Sequence, residues 1–412
     1  MTDILHNIFM DLDFKKLLRT EKSNVGIFCD DFPPVMDGVA ICAQNYAYWL
    51  QKMVGSVTVV TPRVENADYG SLPYKVMDYF SVPIPMRKPY VVGIPEVDPT
   101  VLSRIVKTEF RIIHSHSPFT AGLTAQRVAA IEGIPFIATF HSKYRDDFQR
   151  IFPKLAVDAI IKLIVSYYES ADMVWVPQES VKDVIREYGY KGPVEAMDNG
   201  SDLVGDYKRE YFLSKREELG LREDDFVLLF VGQHIWEKNP RLVIEGLSRI
   251  PEIPFKMFFV GGGYAQNEMK ALVKERGLED KVTFTGVIKD REKITSYYAA
   301  ADLFLFPSYY DNAPLVVREA AALHTPSVMV KGATASTIIN DGRNGYLTEN
   351  DPDSFADLIR YLSAHRDEVL SAGEDASRSI VRSWENVVEE VLLRYNAILK
   401  SKGKEPIERI DL

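Results

Sequence analysis

The chain has 412 residues, which is comfortable for two domains, and its 46% hydrophobic and 26% charged residues are close to the average of globular proteins. Its formal net charge of −10 argues against a broad nucleic-acid-binding surface, because such surfaces are basic. No apolar run reaches the roughly 20 residues that a membrane-spanning helix needs, and no secretory signal peptide is visible, so we expect a cytoplasmic protein.

The N-terminal segment and the two cysteines fit this expectation. Residues 4–18 have an amphipathic pattern, which favours a surface helix packed on the body over a membrane anchor. Cys29 lies near the end of one predicted strand, and Cys42 lies in the following helix. Because disulfides are rare in the cytoplasm, this placement predicts reduced, buried thiols.

Short apolar strands alternate with helical patterns through the first half of the chain. Their continuous apolar character predicts parallel strands that are covered on both faces. The predicted strands of this half are 25–30, 56–61, 111–116, 135–140 and 173–177. The helices between them include 38–53, 121–131 and 144–170.

The same alternation of strands and helices begins again after a polar, glycine-containing segment at 197–206, which we interpret as a linker. The predicted strands of the second half are 227–232, 255–261, 281–286, 303–308 and 326–330. The helices that alternate with them include 241–250, 267–275 and 291–300.

This alternation predicts an α/β protein with two Rossmann-like doubly wound domains that face each other across a cleft. We assign residues 1–200 to an N-terminal domain and residues 201–382 to a C-terminal domain. Residues 383–412 form a strongly amphipathic terminal helix, which either closes the second domain or crosses back to the first. Ligands of such folds bind at the carboxyl ends of the strands, so the residues that follow the strands are candidates for function.

In the first half, a glycine and three histidines follow predicted strands. Gly38 begins a helix, where it would let backbone N–H groups approach an anion, although a simple helix-entry glycine explains it equally well. His114 and His116 lie on one face of a strand, and His141 follows the next strand. A His-x-His pair can bind zinc, but we find no third and fourth ligand at suitable spacing, so no metal site is predicted.

In the second half, charged residues and glycines follow three strands. Lys238 precedes a helix and could neutralise a phosphate at its N-terminus; a solvated surface lysine is the alternative. Glycines 261–263 permit close backbone contact with a phosphate, but they do not form a full dinucleotide-binding fingerprint. Asp311 precedes a helix that contains Glu319. A turn needs no second acid in the following apolar run, so this stretch is a candidate for half of a ligand site.

The combination and order of these motifs resemble the retaining glycosyltransferases of family 4, or glycosyl transferases group 1, which have the GT-B fold of two Rossmann-like domains. The resemblance covers about residues 23–380. Asp311 and Glu319 take the positions of the family's two glutamates separated by seven residues. The stretch GQHIWEK, 232–238, takes the position of the family's phosphate-binding stretch G-R-L-x-x-E-K. The runs HSHSP and ATFH are similar to signatures of the first domain.

The resemblance implies a nucleoside-diphosphate-sugar donor, with UDP-sugar as the expected type, bound by the C-terminal domain. Glu319 would accept hydrogen bonds from the ribose hydroxyls, and Asp311 would contact the transferred sugar. Lys238 would stabilise the departing diphosphate and His141 would lie beside the sugar, so His141, Lys238 and Asp311 are the implied catalytic residues. The other implied donor-binding residues are Gly38, Gln233, Gly262, Gly286, Val287, Ile288, Asn312, Ala313, Pro314 and Leu315.

The implied reaction is hexose transfer with retention of the anomeric configuration. No carboxylate is placed as a nucleophile, so the implied route is front-face attack, in which a leaving-group phosphate oxygen accepts the acceptor's proton. No metal or cofactor is predicted, because Lys238 and helix N-termini would supply the positive charge. The Asp-x-Asp pair at 11–13 lies in the N-terminal helix and the pair at 351–353 at a helix start, so neither is predicted to bind metal.

Two residues depart from the family pattern. Gln233 replaces an arginine, which removes a positive charge at the phosphates, and His234 would compensate in part if it were protonated. Asp311 replaces a glutamate and is one methylene shorter, so the sugar preference would differ. These departures leave open a catalytically degenerate sugar-nucleotide-binding protein, and a same-fold sugar-nucleotide epimerase is a further alternative.

The acceptor is expected to be a hydroxyl of a lipid, such as diacylglycerol, or of a glycan, in glycolipid or polysaccharide biosynthesis. Residues 140–175 look like the acceptor-side helix of family members that glycosylate diacylglycerol at the membrane surface. Basic residues among apolar ones suit anionic headgroups, which predicts peripheral contact at the inner face of the membrane. An ordinary amphipathic helix covering the sheet explains the pattern equally well. The basic residues are Lys143, Arg145, Arg150, Lys154 and Lys162.

Overall fold

A computed structural model describes residues 21–85 and 89–410 of the chain. The N-terminal amphipathic segment at 4–18, with the Asp-x-Asp pair inside it, lies outside these described residues. The chain forms two compact units. The first unit ends at Asn199 and resumes at Trp384, and the second unit is Gly200–Ser383.

The strands and helices alternate along both units. The described strands are β1 (Glu21–Phe28), β2 (Val57–Pro62), β3 (Lys75–Tyr79), β4 (Ser81–Pro83), β5 (Val91–Gly93), β6 (Thr108–Ser115), β7 (Phe136–Thr139), β8 (Met173–Val176), β9 (Val194–Ala196), β10 (Phe226–Val231), β11 (Phe255–Val260), β12 (Val282–Gly286), β13 (Leu303–Leu305), β14 (Ser327–Val330) and β15 (Gly345–Thr348). The described helices are α1 (Gly38–Val54), α2 (Pro99–Lys107), α3 (Thr120–Glu132), α4 (Tyr144–Gln149), α5 (Lys154–Glu169), α6 (Val181–Glu187), α7 (Arg209–Glu218), α8 (Pro240–Leu247), α9 (Gln266–Glu275), α10 (Arg291–Ala300), α11 (Leu315–Ala322), α12 (Pro352–Ala364), α13 (Arg366–Ser379) and α14 (Trp384–Ser401).

The first unit is built on a parallel sheet of seven strands in the order β3-β2-β1-β6-β7-β8-β9. Strands β2 and β7 are buried along their whole length, as expected where helices cover both faces of a parallel sheet. The strand order reverses at β1, so the loops that follow β1 and β6 leave in opposite directions. Such a reversal opens a crevice at the carboxyl ends of the strands, where ligands of this fold bind. Strands β4 and β5 form a separate antiparallel hairpin.

The last helix, α14, is part of the first unit and packs against α1. The hydroxyl of Tyr395 lies 2.6 Å from Nδ1 of His114, and the ring of Tyr395 stacks on Trp175 at a centroid distance of 5.5 Å. The segment after α14 is held as well, since the backbone N–H of Ile410 donates to the carbonyl oxygen of Met53 at 2.8 Å. The C-terminal residues therefore complete the core of the first unit.

The second unit is built on a parallel sheet of six strands in the order β12-β11-β10-β13-β14-β15. Strand β10 is buried throughout and lies in the middle of the largest apolar core. The strand order reverses here between β10 and β13, which are paired side by side. The loops after β10 and β13 therefore begin next to each other at the crevice where this fold binds ligands.

The predicted fold class is confirmed, since both sheets are doubly wound and parallel. Each of the ten predicted strands overlaps a strand of the structure. The single helix predicted at 144–170 is wrong, because the structure has α4 and α5 there. Pro153 lies between them in an extended conformation, and a proline disfavours helical geometry in the residue before it. Cys29 and Cys42 are buried free thiols, as predicted. Across the described residues, every helix is too short or too polar to cross a bilayer.

We expect Tyr395→Phe to lower the free energy of unfolding by about 1–2 kcal/mol, because it leaves a buried nitrogen of His114 without a partner. Urea unfolding of the full-length protein measures the change. Leu393 lies on the same helix with 70% of its surface exposed, so Leu393→Ala is the control and is expected to change stability by less than about 0.5 kcal/mol. Equal losses in the two variants would contradict a role of Tyr395 in the core.

Candidate functional site

Three loops of the second unit are tied together by backbone hydrogen bonds at the carboxyl ends of β10, β11 and β12. The N–H of His234 donates to the carbonyl oxygen of Gly262 at 3.0 Å, and the N–H of Gly261 donates to that of Gly286 at 2.9 Å. A Cβ on Gly261 would lie 1.9 Å from the carbonyl oxygen of Gly232, and φ at this residue is 135°, so only glycine fits. The loops form one rim that carries the predicted residues Gly262, Gly286, Val287 and Ile288.

Lys238 and Asp311 form a buried ion pair beside this rim. The Nζ atom of Lys238 lies 2.7 Å from Oδ1 and 2.8 Å from Oδ2 of Asp311. The hydroxyl of Ser308 donates to Oδ2 at 2.6 Å. Only 11% of the Lys238 side chain and 17% of the Asp311 side chain are exposed. The structure thus brings two of the predicted catalytic residues together, whereas the prediction gave them different partners, a diphosphate and a sugar.

Helix α11 begins directly after this pair and points its N-terminus into the same loop region. Pro314 precedes its first residue, Leu315, and provides no side-chain hydrogen bond that would cap the helix. The first N–H groups of a helix have no partner within it, and the helix dipole makes this end favourable for an anion. The predicted donor-binding residues from Asn312 to Leu315 therefore lie at a position that suits a phosphate.

Glu319, one turn further along α11, is buried and has two side-chain partners. The Nη2 atom of Arg291 lies 2.8 Å from its Oε1, and the hydroxyl of Tyr298 donates to its Oε2 at 2.8 Å. Arg291 also pairs with Asp202, whose Oδ2 lies 3.0 Å from Nε of the arginine. Sequence reasoning missed these partners. The available signal was an arginine in the first turn of a helix, where the dipole disfavours a cation.

Gln233 and His234 differ strongly in exposure. Gln233, which replaces the family's arginine, is exposed. His234 is fully buried among Phe230, Phe259 and Phe284, and neither of its ring nitrogens has a hydrogen-bond partner in the part of the chain that the structure describes. Burial, together with a smaller effect of the charge of Lys270, lowers the pKa of His234 to about 4. His234 is therefore neutral at pH 7, so the protonation on which its partial compensation for the missing arginine depends is absent.

The three histidines of the first unit lie together, because the strands β6 and β7 that carry or precede them are paired side by side. The rings of His114 and His116 stack at a centroid distance of 4.3 Å, and those of His116 and His141 at 5.4 Å. His116 Nδ1 lies 3.1 Å from His141 Nε2. Burial lowers the pKa of His141 to about 4 and those of His114 and His116 well below the usual value, so these rings are neutral at pH 7.

Cys42 joins this cluster from helix α1. Its sulfur and one nitrogen each of His116 and His141 lie within 4.8 Å of one another. Sequence reasoning missed this third possible ligand, because Cys42 is distant along the chain. Thiolate and imidazole are zinc ligands, but the two histidines already contact each other, and burial raises the pKa of the Cys42 thiol so that it keeps its proton. The prediction of a site without metal stays a prediction.

Gly38 is the first residue of α1. Asp37 caps this helix by accepting a hydrogen bond from the N–H of Ala40 at 2.8 Å. A Cβ on Gly38 would meet no described atom within 4 Å. Packing against the described residues therefore does not explain the glycine. Close approach of a ligand remains an explanation.

Two family models match the chain, one to each half. Residues 36–204 match Glycosyltransferase Family 4, and residues 212–378 match Glycosyl transferases group 1. The chain is 25% identical over 351 residues to an alpha-monoglucosyldiacylglycerol synthase of Streptococcus pneumoniae, which covers 83% of this chain and 79% of that protein. It is 28% identical over 307 residues to a D-inositol 3-phosphate glycosyltransferase of a Nocardioides species, with coverage of 69% and 66%.

Solved structures have the same fold. The structure of Anabaena HepE in complex with UDP-glucose superimposes with a TM-score of 0.73 at 17% identity, covering 90% of this chain and 99% of that chain. The two family matches together cover most of the chain, so the protein belongs to the family 4 glycosyltransferases. The likeness to solved structures shows that it has the GT-B fold. The protein is therefore a glycosyltransferase enzyme.

We expect His234→Leu to make the protein more resistant to acid. The pKa of His234 is lower in the folded protein than its ordinary value of 6.5, so the unfolded chain binds the proton more strongly. The contribution of the neutral ring to stability is complete above pH 6.5 and is lost as the pH falls toward 4, which amounts to about 3 kcal/mol. Urea unfolding at pH 7, 6 and 5 compares the two proteins. Parallel stability–pH curves would contradict this prediction.

Proposed function

We propose that this glycosyltransferase transfers a hexose from a UDP-sugar to a hydroxyl acceptor with retention of the anomeric configuration. The observation that carries the proposal is the arrangement around the strand-order reversal of the second unit. There the Lys238–Asp311 pair lies directly before the N-terminus of the helix that carries Glu319. A cation, a helix N-terminus and a buried carboxylate are the groups that a diphosphate and a ribose need.

The diphosphate would be bound by Lys238 and by the backbone of α11. Lys238 has three N–H donors and uses two of them on Asp311, so one remains for a phosphate oxygen. Because Gln233 is uncharged, the N–H groups at the start of α11 would provide much of the remaining stabilisation.

Asp311 would contact the transferred sugar through a single hydroxyl. A carboxylate has about four acceptor positions, and Asp311 already uses three, two for Lys238 and one for Ser308. The remaining position is on Oδ1. This count supports fewer hydrogen bonds to the sugar than a free carboxylate would make. Asp311 would also have a second role, because it holds Lys238 in place.

The proposed reaction is a front-face displacement. The bond between the sugar's anomeric carbon and the UDP oxygen breaks, and a bond from the acceptor oxygen forms on the same face. The acceptor's proton passes to an oxygen of the leaving diphosphate, so no protein base is needed. Lys238 stabilises the negative charge that develops on the diphosphate. His141, neutral at pH 7, would hydrogen-bond the sugar as part of the first unit.

The relatives and the fold support a UDP-sugar donor and a lipid acceptor. The fold is shared with a protein solved in complex with UDP-glucose. A relative with high mutual coverage is an alpha-monoglucosyldiacylglycerol synthase. A binding-only protein remains the second candidate, and a specific observation favours it: Lys238 is already neutralised by Asp311, and Gln233 adds no charge.

Helix α5 provides a surface that suits a membrane. Leu155 and Leu163 point outward from α5, with 86% and 72% of their surfaces exposed, and Lys154 and Lys162 are exposed beside them. The opposite face of the helix is buried in the core. Exposed leucines flanked by lysines match an anionic lipid surface, because the apolar groups enter the interface while the cations meet the headgroups. We propose that the protein reaches its lipid acceptor through this surface.

The donor proposal is tested by following UDP release from UDP-glucose in the presence of diacylglycerol vesicles. We expect acceptor-dependent release, and we expect Lys238→Ala to lower kcat by about 100-fold or more, because it removes the cation at the leaving group. Lys256→Ala is the matched control, since Lys256 pairs with Asp225 elsewhere in the same unit.

The outcomes separate the candidates. UDP binding without transfer to any lipid or glycan acceptor would favour the binding-only protein. Failure to bind any nucleotide sugar in a broad panel would contradict the donor proposal itself.

The membrane proposal is tested by sedimentation with vesicles. We expect Leu155→Asp combined with Leu163→Asp to reduce binding to phosphatidylglycerol vesicles by about 10-fold or more, and high salt to weaken binding of the unmodified protein. Leu370→Asp is the control, because Leu370 is 67% exposed but lies in the second unit. Equal binding by the unmodified protein, the double variant and Leu370→Asp would contradict a membrane contact through this surface. Binding to neutral vesicles alone would contradict it as well.

A further inference from the structure

Arg291 links two acidic side chains, Asp202 and the buried Glu319. Its Nη2 lies 2.8 Å from Oε1 of Glu319, while its Nε lies 3.0 Å from Oδ2 of Asp202. Its Nη2 also donates to Oδ1 of Asp202, so this second contact is bidentate. On the other side, Tyr298 donates to Oε2 of Glu319 at 2.8 Å from a fully buried position. Each oxygen of Glu319 therefore has one fixed donor.

The position of Arg291 is unfavourable for the helix on which it lies. It is the first residue of α10, where Asp290 caps the helix by accepting from the N–H groups of the first turn. The positive end of the helix dipole disfavours a cation at this place, so local helix formation does not explain an arginine there. The ion pairs of Arg291 with its two carboxylate partners explain the arginine instead.

The contacts fix how Glu319 presents its remaining acceptor positions. Each carboxylate oxygen accepts about two hydrogen bonds, and one on each oxygen is taken by Arg291 or Tyr298. One position on each oxygen is left, and the two are held in a defined direction. A pair of neighbouring hydroxyls, as in the ribose of a nucleotide, matches two such positions side by side.

We propose that Arg291 is a positioning residue that orients Glu319 for the ribose diol of the donor, with Asp202 holding Arg291 in place. This inference rests on the proposed function, because it takes the donor to be a nucleotide bound at Glu319. Arg291 acts through Glu319 and does not itself touch the ribose. Its loss weakens recognition of the two hydroxyls and leaves the rest of the nucleotide contact unchanged.

The experiment measures, by calorimetry, the affinities of the full-length protein for UDP and for 2′,3′-dideoxy-UDP, which lacks both hydroxyls. We expect the unmodified protein to prefer UDP by about 10-fold or more, since hydrogen bonds to a charged acceptor are strong. Arg291→Gln is expected to reduce this preference below about 3-fold, while the affinity for the dideoxy nucleotide changes little. Asp202→Asn is expected to give an intermediate preference.

Two further variants separate positioning from a general effect on folding. Arg276→Gln is the matched control, because Arg276 makes a bidentate pair with Glu245 elsewhere in the unit, and its preference for UDP should equal that of the unmodified protein. Arg291→Lys keeps the charge but loses the planar guanidinium, so we expect partial rescue of the preference, and this variant replaces Arg291→Gln if the latter does not fold.

Kinetics provide a second readout once transfer has been detected. Because the ribose lies away from the reacting carbon, Arg291→Gln should raise KM for the nucleotide sugar by about 10-fold and leave kcat within about 3-fold. An unchanged preference for UDP in Arg291→Gln would overturn this inference alone. Absence of UDP binding to the unmodified protein would instead overturn the proposed function, and the inference with it.

Discussion

The ion pair between Lys238 and Asp311 fixes the geometry on which the second unit's site depends. Both side chains are largely buried, so each charge needs the other to offset its loss of water. Lys238 lies in the loop after β10 and Asp311 in the loop after β13, and the pair therefore joins the two loops that leave the sheet in opposite directions. Asn239 reinforces the junction by donating from its side chain to the carbonyl oxygen of Pro307 at 3.3 Å.

The ion pairs of this region leave no excess of positive charge before any ligand arrives. Lys238 is matched by Asp311, and Arg291 is shared by Glu319 and Asp202. With Gln233 uncharged and His234 neutral, side chains contribute little net positive charge to a diphosphate. We therefore expect the backbone at the start of α11 to contribute more here than in family members that keep the arginine. Such N–H groups are held by the helix and need no reorganisation when charge develops.

Some features of the fold and the site could be predicted because they follow from local patterns. Apolar runs predicted the buried strands, and the rule that ligands bind at strand ends selected Lys238, Asp311 and His141. Partners that meet only through packing could not be predicted. Tyr298 and Arg291 reach Glu319 from a separate helix, and Cys42 reaches the histidines from α1.

Other misses have equally concrete causes. The edge strand β9 has only three residues and no fully buried position, so it gives no apolar signal. The protonation state of His234 could not be predicted, because a sequence shows neither burial nor the surrounding aromatic rings. The roles assigned to the site residues stay predictions, since they concern a bound donor.

The path of the chain has a consequence for the order in which the protein is made. The chain enters and leaves the second unit at adjacent points. There Ser201 and Ser383 form a parallel bridge, and the N–H of Ser201 donates to the carbonyl oxygen of Arg382 at 2.8 Å. All its residues precede α14 in the chain, so its core needs no later segment to be complete. The first unit begins earlier but finishes later, since His114 must wait for Tyr395. The first unit is therefore the first to be synthesised but the last whose core is complete.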